Sequence, residues 1–318
     1  MRVRVLVVLL SGALAVPGYA NASHDPAPEV RTVKLLPLPA VGGGAPSSAL
    51  GRRYGWIVPR ARKDRPGSGS GRRVHVVYVT TTDRPAPDLD RRGVLDFSLR
   101  AINRWMAKRS GRTWRLDTFR FRPKVRRDGR TVRLARRSAV DVTFVPSGRR
   151  SASMGSVADV ADLLRARGFH RSDRRYLAFV AADAGGVCGE AEYPLSPSPQ
   201  AVGQYAAVFL YSDRGCGTRA FAKNVTRPSW SEAVTLHEFL HNDGVAPLTS
   251  PHTCAESPGH ICTAGVAHTD LDPEMADLMF PFVTGPLRTK VLDRGKDDYL
   301  DHPWPHRDLR DSGYLRRA

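Results

Sequence analysis

From about residue 73 onward, apolar positions fall into short strand-like runs and helix-like faces. Val74 to Val79 is β-branched and apolar, which predicts a buried strand. Similar runs predict strands at 114–121, 140–145, 176–181 and 205–211. Apolar residues recur with helical spacing in two further segments, 95–106 and 157–164, each followed by a glycine that ends a helix, Gly111 and Gly168. The alternation predicts an α+β domain over 73–300, with a mixed β-sheet packed by helices.

The two ends of the chain differ from this pattern. Residues 1–22 combine a basic head, an apolar run from Val5 to Val16 and a small-x-small site ending at Ala22, which is typical of a secretory signal peptide. Residues 23–72 are rich in Pro and Gly and predict a linker or pro-region. Residues 301–318 are polar and predict a C-terminal tail. We therefore expect a secreted, extracellular protein without a transmembrane segment, since the apolar run is shorter than the ~20 residues a span needs.

An even number of cysteines on a secreted chain predicts disulfide bonds. Four cysteines allow three pairings, and closure of local loops favours Cys188–Cys216 with Cys254–Cys262. Zinc ligation by thiolates is disfavoured, because the chain has no C-x-x-C pair.

The formal net charge of +18 favours acidic partners such as cell-surface polymers. Basic residues are spread along the chain, however, and lack the interleaved aromatics of a nucleic-acid platform, so no specific nucleic-acid partner is expected. We expect a monomer.

Residues 237–241 read His-Glu-Phe-Leu-His, the H-E-x-x-H pattern of zinc hydrolases. On a helix, positions i and i+4 share a face, so His237 and His241 can bind one ion. Glu238 is turned away from that ion and can act on a water beside it as a general base. Ser229 and Glu232 have the spacing of a capping box, so a helix is expected here independently of the motif. A helix whose two histidines merely cover a polar surface is the alternative.

Residues 228–280 resemble the metzincin zinc proteases, and more particularly the secreted actinobacterial metzincin-like proteins. The resemblance extends weakly back to the helix around Trp105 and to Cys188-Gly189. The matching features are H-E-x-x-H-x-x-G, then Pro-His, His-x-Cys and Asp-x-Met. The resemblance implies a zincin-like fold, zinc as cofactor and Met279 in a turn under the metal. The third ligand of the metzincin pattern would fall at position 247, which is Pro, and Phe280 stands where a Tyr is common. The nearest replacement ligand is His252, with His260 as the runner-up; His268 and Glu256 are weaker candidates.

The sequence therefore predicts a secreted zinc-dependent metalloendopeptidase with His237, His241 and His252 as metal ligands. Glu238 would be the general base acting on a zinc-activated water, and a polypeptide would be the substrate. Two alternatives stay open: a basic surface-binding protein with a vestigial or structural zinc site, and a zinc hydrolase of a non-peptide bond. An acidic group, Asp270, Asp272, Glu274 and Asp277, is a weaker candidate for calcium.

Overall fold

The computed structural model describes residues 30–34, 56–65, 71–127, 130–194, 203–212, 221–222, 224–245, 250–254, 259–262, 277–281, 283, 285–301 and 308–318. Within these residues the chain forms a mixed α+β fold with one large mixed sheet, three small two-stranded sheets and three α-helices. The fold class expected from the sequence is confirmed at this level.

The large sheet has six strands in the order β1-β10-β11-β9-β2-β8. Their bounds are β1 Val30–Lys34, β2 Arg73–Thr80, β8 Val142–Pro146, β9 Arg174–Ala181, β10 Gly189–Pro194 and β11 Tyr205–Phe209. The four strands from β11 to β8 are parallel, whereas β10 is antiparallel to β11 and β1 is antiparallel to β10. The sheet therefore has a parallel body and an antiparallel margin.

Helices cover both faces of the sheet. Successive side chains of β9 point to opposite faces, so Leu177 and Phe179 join one apolar cluster while Ala178 and Val180 join another. The first cluster contains the apolar sides of α1 (Val94–Ser110) and α3 (Trp230–Asn242). The second contains that of α2 (Val157–Ala166). Burial of each large apolar side chain contributes about 1.5–3 kcal/mol, so the two clusters hold the helices on the sheet.

The ends of α1 and α2 follow from local sequence. Gly111 caps α1 with a left-handed φ of 66°, a conformation that glycine adopts without strain. Ser156 caps α2, its side chain accepting a hydrogen bond from the Asp159 backbone N–H at 3.2 Å. Gly168, with φ 86°, follows α2 as predicted.

Two predicted strands are each divided in the structure. The 114–121 run becomes β3 (Arg112–Trp114) and β4 (Thr118–Phe121), and the 140–145 run becomes β7 (Arg137–Val140) and β8. Asp141 marks the second break, where its backbone N–H donates to the Asp117 carbonyl at 2.8 Å. β4 pairs with β7 outside the large sheet, and β5 (Lys124–Arg127) forms a hairpin with β6 (Arg130–Arg133).

The described ends of the chain pack on the domain, in contrast to the predicted tail and linker. β12 (Leu315–Arg317) pairs with β3, and Leu309 and Tyr314 are buried. Burial of these apolar residues stabilises the folded C-terminal segment, although its overall composition is polar. Near the other end, the Arg60 guanidinium binds the Asp90 carboxylate at 2.6 Å, and β1 lies at the margin of the large sheet. Within the described residues, no helix is both long and apolar enough to cross a membrane.

Candidate metal centre

Helix α3 carries the H-E-x-x-H motif, and two sets of hydrogen bonds hold its first turn in place. Ser229 and Glu232 form the predicted capping box, with the Glu232 carboxylate accepting the Ser229 backbone N–H at 2.7 Å. The same carboxylate accepts hydrogen bonds from the Ser98 hydroxyl of α1 and the Ala222 backbone. These contacts fix the rotation of α3, so that His237, Glu238 and His241 all lie fully buried.

The two helix histidines face each other through their Nε2 atoms, which lie 3.0 Å apart. The Leu278 carbonyl, which can only accept, lies 2.7 Å from His237 Nδ1, so this nitrogen carries the proton. His237 Nε2 therefore presents a lone pair towards His241. Two facing nitrogens at this distance need a proton or a cation between them. A carbonyl that fixes the tautomer in this way is the usual outer partner of a metal-binding histidine.

His260 completes the group. Its ring centroid lies 5.2 Å from that of His237 and 4.8 Å from that of His241. One ligand atom from each of the three imidazoles lies within 4.8 Å of the other two, and His260 is fully buried. Three histidines around one point are a set of side chains that could hold a metal ion, and the same set of ligands occurs in some zinc sites.

The position of His260 is set by pairing of two short segments. The predicted disulfide Cys254–Cys262 is present, and the Cys254 N–H donates to the His260 carbonyl at 2.9 Å. On the other side, the Ile261 N–H donates to the Met279 carbonyl at 2.9 Å. His260 is therefore held between the disulfide loop and the segment that binds His237.

His252, the expected third ligand, does not join the pair. Its Nδ1 lies 3.1 Å from the Asp298 carboxylate, and its side chain remains 30% exposed. The Cys262 N–H donates to the His252 carbonyl at 2.8 Å, so the backbone of His252 is bonded to the end of the disulfide loop. We therefore correct the sequence expectation: the structure brings His260, the runner-up, to His237 and His241.

Glu238 follows His237 on α3 and is fully buried. Its two carboxylate oxygens are buried and have no hydrogen-bond partner among the described residues. Burial raises the pKa of Glu238 well above its ordinary value, and the nearby Glu190 adds to the shift. Glu238 packs against Gly189 of β10, where a Cβ atom would meet the Glu238 Cγ at 2.4 Å. Gly189 is thus required by close approach, a role that sequence reasoning missed.

The pKa values of His237 and His241 are shifted in the opposite direction. Burial lowers the pKa of His237 well below its ordinary value, and the neighbouring His260 lowers it further. The pKa of His241 is lowered in the same way, first by burial and then by the other two imidazoles. His237 and His241 are therefore suited to metal binding, because neutral imidazole is the ligating form. The tautomer, the convergence and the burial together fit a divalent ion.

The segment containing Met279 positions the Leu278 carbonyl that contacts His237. Asp277 accepts hydrogen bonds from the Met279 N–H and from the Tyr299 hydroxyl, both at 2.7 Å. This fixes the turn that places the Leu278 carbonyl on His237. Burial raises the pKa of Asp277 to about 7. Tyr299 had no sequence signal, whereas Asp277 and Met279 belong to the Asp-x-Met feature.

Two other groups of metal-binding side chains occur in the described residues. In the first, Asp64 and Asp117 flank His75, but the Arg174 guanidinium already binds Asp117 at 2.9 Å. In the second, His252 lies with Asp297 and Asp298 near the surface. Of the three groups in the described part of the chain, only the three-histidine group is buried at every member, so it is the stronger candidate.

Some sequence expectations lie outside the described residues. These are the signal segment 1–22, Cys216, Glu256, His268 and the acidic positions Asp270, Asp272 and Glu274. Cys188, the predicted partner of Cys216, is disulfide-bonded.

Comparison with known proteins adds no relative. No family model, no curated protein and no solved structure matches the chain.

Proposed function

We propose that this chain is a zinc-dependent hydrolase of peptide bonds with a zincin-like active-site helix. His237, His241 and His260 would hold the metal, and Glu238 would be the general base. The observation that supports the proposal most strongly is the convergence of three buried imidazoles beside a buried carboxyl group that has no hydrogen-bond partner among the described residues. Three imidazoles suit zinc and leave a position for a non-protein ligand.

When bound, zinc supplies Lewis acidity to a hydrolytic site. The protein residues then have distinct tasks. Leu278 holds His237 in its ligating tautomer. Glu238 accepts a proton from the attacking water and passes it to the leaving amine nitrogen, as a general base that becomes a general acid. Gly189 leaves the space in which the Glu238 side chain lies.

Secretion belongs to the same proposal and rests on the N-terminal pattern of basic head, apolar run and small-residue site. A peptide is preferred as substrate because β10, in the antiparallel part of the large sheet, runs beside the proposed catalytic helix, and extended peptides bind proteins by strand addition.

A second candidate is a metal site that only stabilises the fold. One observation favours it: the side chains of His237, Glu238, His241 and His260 are all 0% exposed, so no substrate reaches them in this conformation. The two candidates differ in the role of Glu238, which a structural site does not need.

Glu238→Gln separates them. The variant keeps the shape of the side chain and all three histidines but removes the base. We expect it to retain zinc and lose peptide hydrolysis by about 10²–10⁴-fold. His252→Ala is the matched control and should hydrolyse at the wild-type rate, since His252 lies with Asp298 away from the imidazoles. Equal hydrolysis by Glu238→Gln and wild type would refute the proposal.

A further inference from the structure

Strand β10 connects the catalytic helix to one margin of the large sheet. Gly189 of β10 contacts Glu238, and the ring of Tyr193 packs edge-on against His241 with centroids 5.6 Å apart. Gly189 and Tyr193 are separated by an even number of positions, so they lie on the same face of the strand. β10 is therefore the strand of the sheet that lies directly against the candidate site.

The outer side of β10 is filled by β1, a segment of the predicted pro-region. β1 runs antiparallel to β10, with Lys34 opposite Glu190, Val33 opposite Ala191 and Arg31 opposite Tyr193. Arg31 and Val33 thus occupy register positions beside the β10 residues on the face that carries α3. Neighbouring strands of a sheet lie about 4.8 Å apart. The backbone of β1 is therefore displaced by one strand spacing from β10, the strand that contacts the proposed catalytic helix.

This arrangement satisfies the backbone of β10 on both sides. Its inner side pairs with β11, and its outer side pairs with residues 30–34. A strand margin binds an extended peptide through unpaired backbone groups, and an occupied margin has none to offer. In the same structure the three imidazoles and Glu238 are fully buried.

We propose that the outer side of β10 is the binding edge for an extended peptide, and that Val30–Lys34 is its resident occupant. In this state the chain's own strand excludes a substrate, and its release opens the edge beside Glu238. The inference rests on the proposed hydrolase function for its consequence, but the binding edge itself can be tested without catalysis.

Paired substitutions within β1 provide the test in the full-length chain. Successive residues of a strand direct their N–H groups to opposite sides, so Thr32→Pro with Val33→Pro removes at least one donor to β10. Thr32→Ala with Val33→Ala is the matched control, because it keeps both N–H groups. Loss of one or two ladder hydrogen bonds should shift occupancy of the edge by about 5–30-fold.

Two measurements read the result. The first is fluorescence anisotropy of a labelled peptide spanning residues 28–36, which should bind the proline pair at least about fivefold more tightly than the alanine pair. The second is peptide hydrolysis per bound zinc, which should rise in the proline pair and stay near wild type in the alanine pair. Amide hydrogen exchange should increase in β10 of the proline pair, because β1 no longer protects it. Unchanged exchange in β9 would show that the proline pair remains folded.

The outcomes separate the two proposals. Stronger peptide binding by the proline pair without hydrolysis in any variant supports the edge and refutes the hydrolase. Equal hydrolysis and equal peptide binding in the two pairs refute the edge, whether or not the wild type is active.

Discussion

The choice between His260 and His252 gives the sharpest mutational test of the metal centre. The structure brings His260 within ligand distance of His237 and His241, whereas His252 binds Asp298. We therefore predict that His260→Ala weakens zinc binding strongly and that His252→Ala leaves it unchanged.

The expected magnitude follows from the number of ligands. Zinc binding by a four-ligand protein site is worth about 10–16 kcal/mol, or roughly 2.5–4 kcal/mol for each ligand. At 1.4 kcal/mol for each factor of ten, loss of one imidazole weakens binding by about 10²–10³-fold. His252 contributes a surface pair with Asp298, and its removal takes no atom from the three-imidazole group.

Competition with a chromophoric chelator measures both affinities, and thermal unfolding without metal shows whether each variant folds. His241→Ala is the positive control, since both ligand assignments include it. Wild-type zinc affinity in His260→Ala, together with a large loss in His252→Ala, would contradict the reasoning.

Three further perturbations test neighbouring parts of the structure. Gly189→Ala places a methyl group where the Glu238 side chain lies, so we expect retained zinc and hydrolysis reduced by about 10²-fold, and unchanged hydrolysis would show that Glu238 is not held there. Replacing Cys254 and Cys262 by Ser opens a loop with a sequence separation of 8 and should cost about 2.5 kcal/mol of unfolding free energy, measured by denaturation, with zinc affinity falling as His260 loses its anchor. The Asp298 carboxylate raises the pKa of His252, so its stabilising contribution is present below the unfolded-state pKa and is lost as the pH rises through the folded-state pKa. The wild type and His252→Ala should therefore differ in stability at pH 6 and converge at high pH, and a difference that grew with pH would oppose this pairing.

Local patterns predicted the elements that carry the site. The Ser229 and Glu232 spacing located the start of α3, and helical periodicity placed His237 and His241 on one face. The strands with continuous apolar runs, such as β2 and β9, were also found, because fully buried parallel strands are apolar on both faces. These features depend on residues close together in the chain.

The third ligand depended on contacts between distant segments. His252 and His260 both lie next to the Cys254–Cys262 loop, and spacing alone could not show which one returns to α3. The decision comes from the backbone bond between Ile261 and Met279, which pairs two segments far apart in sequence. The contact between Gly189 and Glu238 is of the same kind, since it depends on how β10 crosses the helix.

The N-terminal region shows a different limit. Residues 23–72 are poor in aromatics, and their composition predicted a linker or a loosely attached pro-region. Val30–Lys34 is nevertheless a short β-branched segment, and it pairs with a strand margin that supplies the missing partner. Composition describes what a segment can bury by itself, whereas strand pairing also depends on the edge that another part of the chain presents.

A crystal structure of the full chain with zinc, phased or mapped at the zinc absorption edge, tests the central claim most directly. We predict one strong anomalous peak bound by His237, His241 and His260, with no fourth protein ligand and with Glu238 beside the open position. A peak at His252, a coordination sphere closed by four protein side chains, or no peak among the three imidazoles would contradict it.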